Sequence, residues 1–180
     1  VTVPTADIMN NKMTIGGTVL PDESSIELAY KFDSKLELGG VLNLDNNYYG
    51  NNKYILGPEV KLAVAAENAG QPAISGGLYN GDVYLVFSKQ LRYGFRGHMG
   101  VGNGDFNGLY FGVGKNIGPS SVSITDVDSD KSGVPTMKLM AEYVDKKVNF
   151  GLRVNLQQNF AVDLGLINLS EFKAGLSYAF

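Results

Sequence analysis

Along most of this 180-residue chain, large apolar side chains return at every second position. The last ten residues, EFKAGLSYAF, show it most plainly. Phe172, Ala174, Leu176, Tyr178 and Phe180 fall on one face of an extended strand, and Glu171, Lys173, Gly175, Ser177 and Ala179 fall on the other. The same period-two alternation recurs over 13–19, 25–32, 36–42, 60–67, 74–79, 83–88, 95–102, 109–115, 137–143, 148–156 and 160–167. Turn-forming residues separate these segments: DSK at Asp33, NAGQP at Asn68, NGD at Asn80 and NGDFN at Asn103. No stretch competes as a helix.

These segments predict an all-β domain covering residues 1–180, with about 12 antiparallel strands (range about 10–14) in up-and-down order. Open twisted sheets rarely pass about 10 strands, so this sheet must close or split. The first and last strands alternate strongly enough to pair, which leaves no free edge. Charge supports two hairpin registers. A three-residue loop at Asp33 to Lys35 sets Lys31 across from Glu37, and one at Gln157 to Asn159 sets Arg153 across from Asp163.

Alternation alone fits a soluble calycin-like barrel around an apolar ligand, a β-sandwich, or a membrane barrel with its apolar face toward lipid. Size decides among them. A soluble barrel of about 12 strands would enclose an apolar cavity too wide for its own side chains, whereas a membrane barrel holds water and paired charges inside. The expected inward set has that chemistry: Lys31, Glu37, Arg96, His98, Lys138, Glu142, Arg153 and Asp163, with Glu27, Lys61, Glu67, Glu171 and Lys173 beside them. Composition agrees, with 23 Gly, 10 Tyr, 9 Phe and no Trp. Fifteen Lys and Arg against 18 Asp and Glu give no electrostatic case for nucleic acid. The absence of Cys removes thiol catalysis and thiolate metal sites.

A final strand with alternating apolar residues and a terminal Phe resembles the C-terminal signature of bacterial outer-membrane β-barrel proteins, carried here by Phe172, Ala174, Leu176, Tyr178 and Phe180. VPTADI at the start, LELGGVLNL, YLVFSKQL and the run from Val148 to Phe180 also resemble a group of small exported barrels that begin Pro-Thr-Ala-Asp after leader removal. The resemblance implies a bacterial outer-membrane location with the leader already removed. It implies the lipid bilayer and the outer-membrane assembly machinery as partners, other envelope proteins as candidate neighbours, and Tyr178 and Phe180 as an assembly signal. An even strand number puts both termini at the periplasmic end. The loop from 43 to 56 is then an outer one, and 117–135 reads as an insertion, with Val122 to Thr125 as a thirteenth strand or a small hairpin outside the wall.

Candidate chemistry is sparse. His98 is the only histidine, and the expected register sets it across from Tyr84 rather than beside a serine or a carboxylate, so it reads as a lumen-lining group. Asp126, Asp128 and Asp130 alternate as at the opening of a calcium loop, but Lys131 stands where the sharp-turn Gly belongs and Met137 where a bidentate Glu belongs. A solvated loop is the favoured reading there. The glycine-rich GVGNGDFNG and GVGKNIG lack the helix that a phosphate loop requires. The chain is therefore expected to have no cofactor and no enzymatic activity. It is expected to serve as a narrow passive channel for small hydrophilic solutes or as a structural envelope component.

Overall fold

A computed structural model describes residues 4–45, 53–118, 135–156 and 159–180. The strands are β1 (Met13–Val19), β2 (Glu23–Lys31), β3 (Leu36–Asp45), β4 (Lys53–Ala65), β5 (Ala73–Tyr79), β6 (Asp82–Gln90), β7 (Phe95–Gly102), β8 (Gly108–Ile117), β9 (Thr136–Val144), β10 (Lys147–Asn155), β11 (Phe160–Ile167) and β12 (Glu171–Ala179). Each is antiparallel to its chain neighbours, and β1 pairs with β12 to close the barrel. The expected strand number and closure are both found. At the seam Gly17 faces Leu176, and Phe180 is tied down by its N–H to the Met13 carbonyl at 2.8 Å and its carbonyl to the Lys12 N–H at 3.1 Å. That ladder keeps the chain end from fraying.

Strands β3 and β4 run further than expected, with Leu44 opposite Tyr54 and Asn43 opposite Ile55. The reason is visible in the sequence: Leu44, Tyr54 and Leu56 continue the outward apolar positions into a segment whose Asn content suggested a loop. Tight turns lie at the end opposite the termini. Asn80–Gly81 and Asp145–Lys146 each place two consecutive residues at positive φ, the requirement of a two-residue hairpin with the twist of its flanking strands. The candidate calcium residues Asp126, Asp128 and Asp130, the Val122 to Thr125 segment, and most of 117–135 lie outside the described residues.

The faces are the reverse of those in a soluble barrel. Leu28, Leu62, Val101, Leu139, Phe150 and Leu176 are exposed on the outer wall, while Glu37, Ser75, Ser88, His98, Glu142 and Asn149 are buried inside it. Exposed aromatic side chains ring both rims: Tyr30, Phe32, Tyr93, Phe95, Tyr178 and Phe180 at the end carrying the termini, and Tyr54, Tyr143 and Phe172 at the other. An apolar band between two aromatic girdles is the outer surface of a membrane barrel.

Candidate functional site: a lumen divided by an internal strap

The segment before β1 does not leave the barrel but runs up inside it. Ala6 is only 4% exposed. Its N–H donates to Ser88 Oγ at 2.8 Å, and its carbonyl accepts from Ser75 Oγ at 2.9 Å. One residue on, the Asp7 carbonyl accepts from Lys61 Nζ at 3.1 Å, and the Asp7 carboxylate takes two bonds from the Arg96 guanidinium. The Met9 N–H donates to the Glu37 carboxylate. The backbone of this strap is thus satisfied by inward side chains from β3 through β7, which is what a non-sheet segment inside a barrel requires.

From the far end, the β7–β8 connection folds Phe106 inward until it is 3% exposed. Its ring meets Tyr84 edge-on at 5.7 Å and lies 6.0 Å from both Tyr79 and Tyr110. Two of these tyrosines lie over glycines on the neighbouring strand. A Cβ at Gly77 would come within 2.5 Å of the Tyr84 ring, and one at Gly100 within 2.3 Å of the Tyr110 ring. Glycine here is the residue that lets an inward aromatic lie flat on the wall. The aromatic cluster packs the side of the lumen lined by β5 to β8, and the strap, anchored on β3 to β7, lies beside it.

The remaining wall carries small residues and charge. Gly151, Gly165 and Gly175 lie on the inward face of β10 to β12, and Gly16 continues the inward glycines into β1. Arg153 donates to both oxygens of Asp163, at 2.8 and 2.9 Å, as the sequence pattern predicts. Lys138 stands directly across from Arg153, and its side chain lies over Gly114, where a Cβ would be 2.8 Å from Cε. Glu142 faces Asn149 two inward positions further along.

Two expectations are corrected. Lys31 does sit across from Glu37, yet the ion pair is between Glu37 and Lys61, at 2.8 Å. Lys61 flanks Glu37 on the other side and is also held by the Asp7 carbonyl, so the strap selects which lysine the carboxylate engages. His98 sits opposite Ser88, not Tyr84, and its Nδ1 is 2.7 Å from Ser88 Oγ. The cause is the tight turn through Arg92–Gly94, with Tyr93 at positive φ, which starts β7 at Phe95 and sets Tyr84 across from Gly102. The Ser–His contact is not a nucleophile site, because Ser88 is 1% exposed and its oxygen is covered by the Ala6 N–H. It is an anchor for the strap.

The strap contacts of Asp7, Ser75 and Ser88 escaped the sequence reading. Parity places both serines inside, but nothing local shows that a segment outside the sheet will meet them. Arg96 also donates to Glu67 at 2.8 Å, linking the strap to the β4–β5 turn. The Gln90 N–H, with Arg96 beside it, holds the Glu67 carboxyl below its ordinary 4.5. Among the described residues no group of His, Asp and Glu could hold a metal ion. Tyr178 and Phe180 form an edge-on pair with ring centres 4.7 Å apart on the outer rim.

No family model and no curated protein matches this chain in sequence. Among solved structures, a KdgM porin superposes with a TM-score of 0.56 over 93% of this chain and 98% of its own, at 10% identity. The two share a fold. At that identity the likeness reaches the closed antiparallel barrel and not the residues of the lumen.

Proposed function

We propose that this chain is a bacterial outer-membrane barrel that acts as a narrow passive channel for small hydrophilic solutes, without enzymatic chemistry. The observation that carries the reading is the division of the lumen. The β5–β8 half is packed, while the wall from β9 through β12 to β2 presents Lys138, Arg153, Asp163, Lys173 and Glu27 from a glycine-rich surface. Charges of both signs along a narrow aqueous path suit solutes that carry their own hydrogen-bonding groups, and the path excludes bulky ones. The membrane assignment rests on the apolar band and its two aromatic girdles. The fold likeness to a porin is consistent with it. The termini then lie at the periplasmic end, with Tyr178 and Phe180 as the signal read during assembly.

Planar-bilayer recording tests the proposal. The intact chain should give small conductance steps, and a chain lacking residues 1–9 should give larger ones while keeping the Lys12–Phe180 closure. Silence from both forms would favour the second reading, a structural envelope component, which the packing of strap and Phe106 into one half of the lumen also suits.

A further inference from the structure

On the outer wall a groove of about 720 Å³ crosses the strands from β8 to β12. Its floor is backbone rather than side chain: Gly114, Met140, Gly151 and Gly165 are successive register partners, and all four point their Cα substituents inward or lack one. Outward side chains on either side make two ridges, with Leu139 and Leu152 on one and Ala141 and Phe150 on the other. An inward-facing residue leaves only backbone on the outer face, so the floor between the two ridges is bare.

At the end of the groove nearest the termini stands Lys115, which points outward from β8 with its ammonium 4.8 Å from the centre of the Phe95 ring. Among the described residues, Lys89 on the outer face near this rim donates instead to the carbonyls of Asn68, Ala69 and Gln71. Lys115 makes no hydrogen bond or ion pair among the described residues. A lysine on an apolar wall, level with an aromatic girdle, carries its ammonium to the interface, where an anionic headgroup is the counter-charge at hand. The four lateral steps from β8 to β12 cover about 19 Å at about 4.8 Å each, oblique to the membrane normal because the strands tilt. That is about the depth of one leaflet's hydrocarbon, roughly half of 30 Å.

We infer that the groove is a binding site for one anionic glycerophospholipid, its acyl chain lying along the backbone floor and its phosphate paired with Lys115. The inference rests on the membrane reading above. A chain in the trough regains dispersion contacts that a ridged wall would otherwise leave unfilled, and the lysine selects the charged headgroup over a zwitterionic one.

The test uses the full chain in nanodiscs of mixed phosphatidylglycerol and phosphatidylcholine, released and weighed by native mass spectrometry, with flotation on vesicles as a separate check of insertion. The intact barrel should retain one phosphatidylglycerol in preference to phosphatidylcholine. Lys115→Gln should lose about fivefold of that preference, the worth of one lysine at an anionic surface, while floating normally. Ala141→Phe, which leans over the trench, should lower retention of both lipids. Flotation without lipid preference, or a Lys115→Gln preference equal to that of the intact chain, overturns the site and leaves the membrane reading standing. A dimer mass with no bound lipid would assign the groove to a second copy and also overturn it. Failure to float would instead remove the membrane reading itself.

Discussion

The division of the lumen makes one substitution behave oppositely at two positions that both face inward. Gly100→Ala should destabilise the barrel by about 2–4 kcal/mol. The new Cβ would lie 2.3 Å from the Tyr110 ring and 2.4 Å from the Leu85 carbonyl oxygen, so both must move. Tyr110 is fully buried and its hydroxyl donates to that same carbonyl at 3.1 Å. Moving the ring forfeits a hydrogen bond worth about 1 kcal/mol and repacks it against Phe106, an overpacking cost of about 1–3 kcal/mol. Gly16→Ala meets only the Leu176 carbonyl at 3.5 Å and the Ser177 Cβ at 3.8 Å, both ordinary contacts. There the loss of unfolded-state freedom dominates, and the variant should gain about 0.4–1 kcal/mol. Urea unfolding of barrels refolded into phosphatidylcholine vesicles, followed by tyrosine emission and gel mobility, reads both as shifts of midpoint at equal slope. Equal shifts for the two variants would show that the β5–β8 half is no more filled than the β12–β1 wall.

Arg at position 152 in place of Leu, on the apolar wall, should cost roughly 2–4 kcal/mol in the same assay; a cost near zero would mean that the outer face meets water. Reversing Arg153 to Glu should be partly rescued by Asp163→Arg, and a double variant no better than the worse single would reject the pair as a stabilising contact. Because the folded state holds Glu67 below 4.5, its support for Arg96 and the strap is complete above that value and drains away as pH falls beneath it. Single-channel steps should therefore widen below pH 4.5, and Glu67→Gln should make the acid and neutral traces alike; unchanged steps in the intact chain would detach the strap from that turn. Deleting Phe180 should reduce insertion in cells far more than it lowers stability in detergent, since one rim side chain is worth at most about 1.5–3 kcal/mol; normal insertion would leave it as one more lipid-facing aromatic.

Period-two alternation made the wall legible because each strand carries its own instruction about which face is which, and twelve such strands leave few ways to close. The Arg153–Asp163 pair was legible for a related reason: a short turn fixes the register of its two strands, so the partner can be counted. His98 shows where counting stops. Its partner depends on where the turn before β7 is centred, since a turn about Leu91 would set it across from Tyr84 and the turn about Tyr93 sets it across from Ser88, and Tyr93 at positive φ is a conformation that no local pattern requires. The strap lies further out of reach, because VPTADI has no periodicity and the partners of its Ala6 and Asp7 lie 54 to 89 residues away along the chain.

What the sequence does hold, once the inward face is known, is the volume on each side of the lumen. Strands β5, β6 and β8 carry Tyr79, Tyr84, Val86 and Tyr110 inward, while β10, β11, β12 and β1 carry Gly151, Gly165, Gly175 and Gly16. Large rings grouped on β5, β6 and β8 fill their own side and give Ala6 an apolar surface to settle against, so the strap is drawn to that side rather than to the glycine wall. The polar groups then follow the strap: Ser75, Ser88, Lys61 and Arg96 sit where its backbone and Asp7 need partners. On the opposite side the inward residues are small, and the side chains of Lys138 and Lys173 lie against Gly114 and Gly165. The asymmetry of side-chain size around the barrel is therefore prior to the charge pattern, and it decides which charges lock the strap and which stay along the glycine wall.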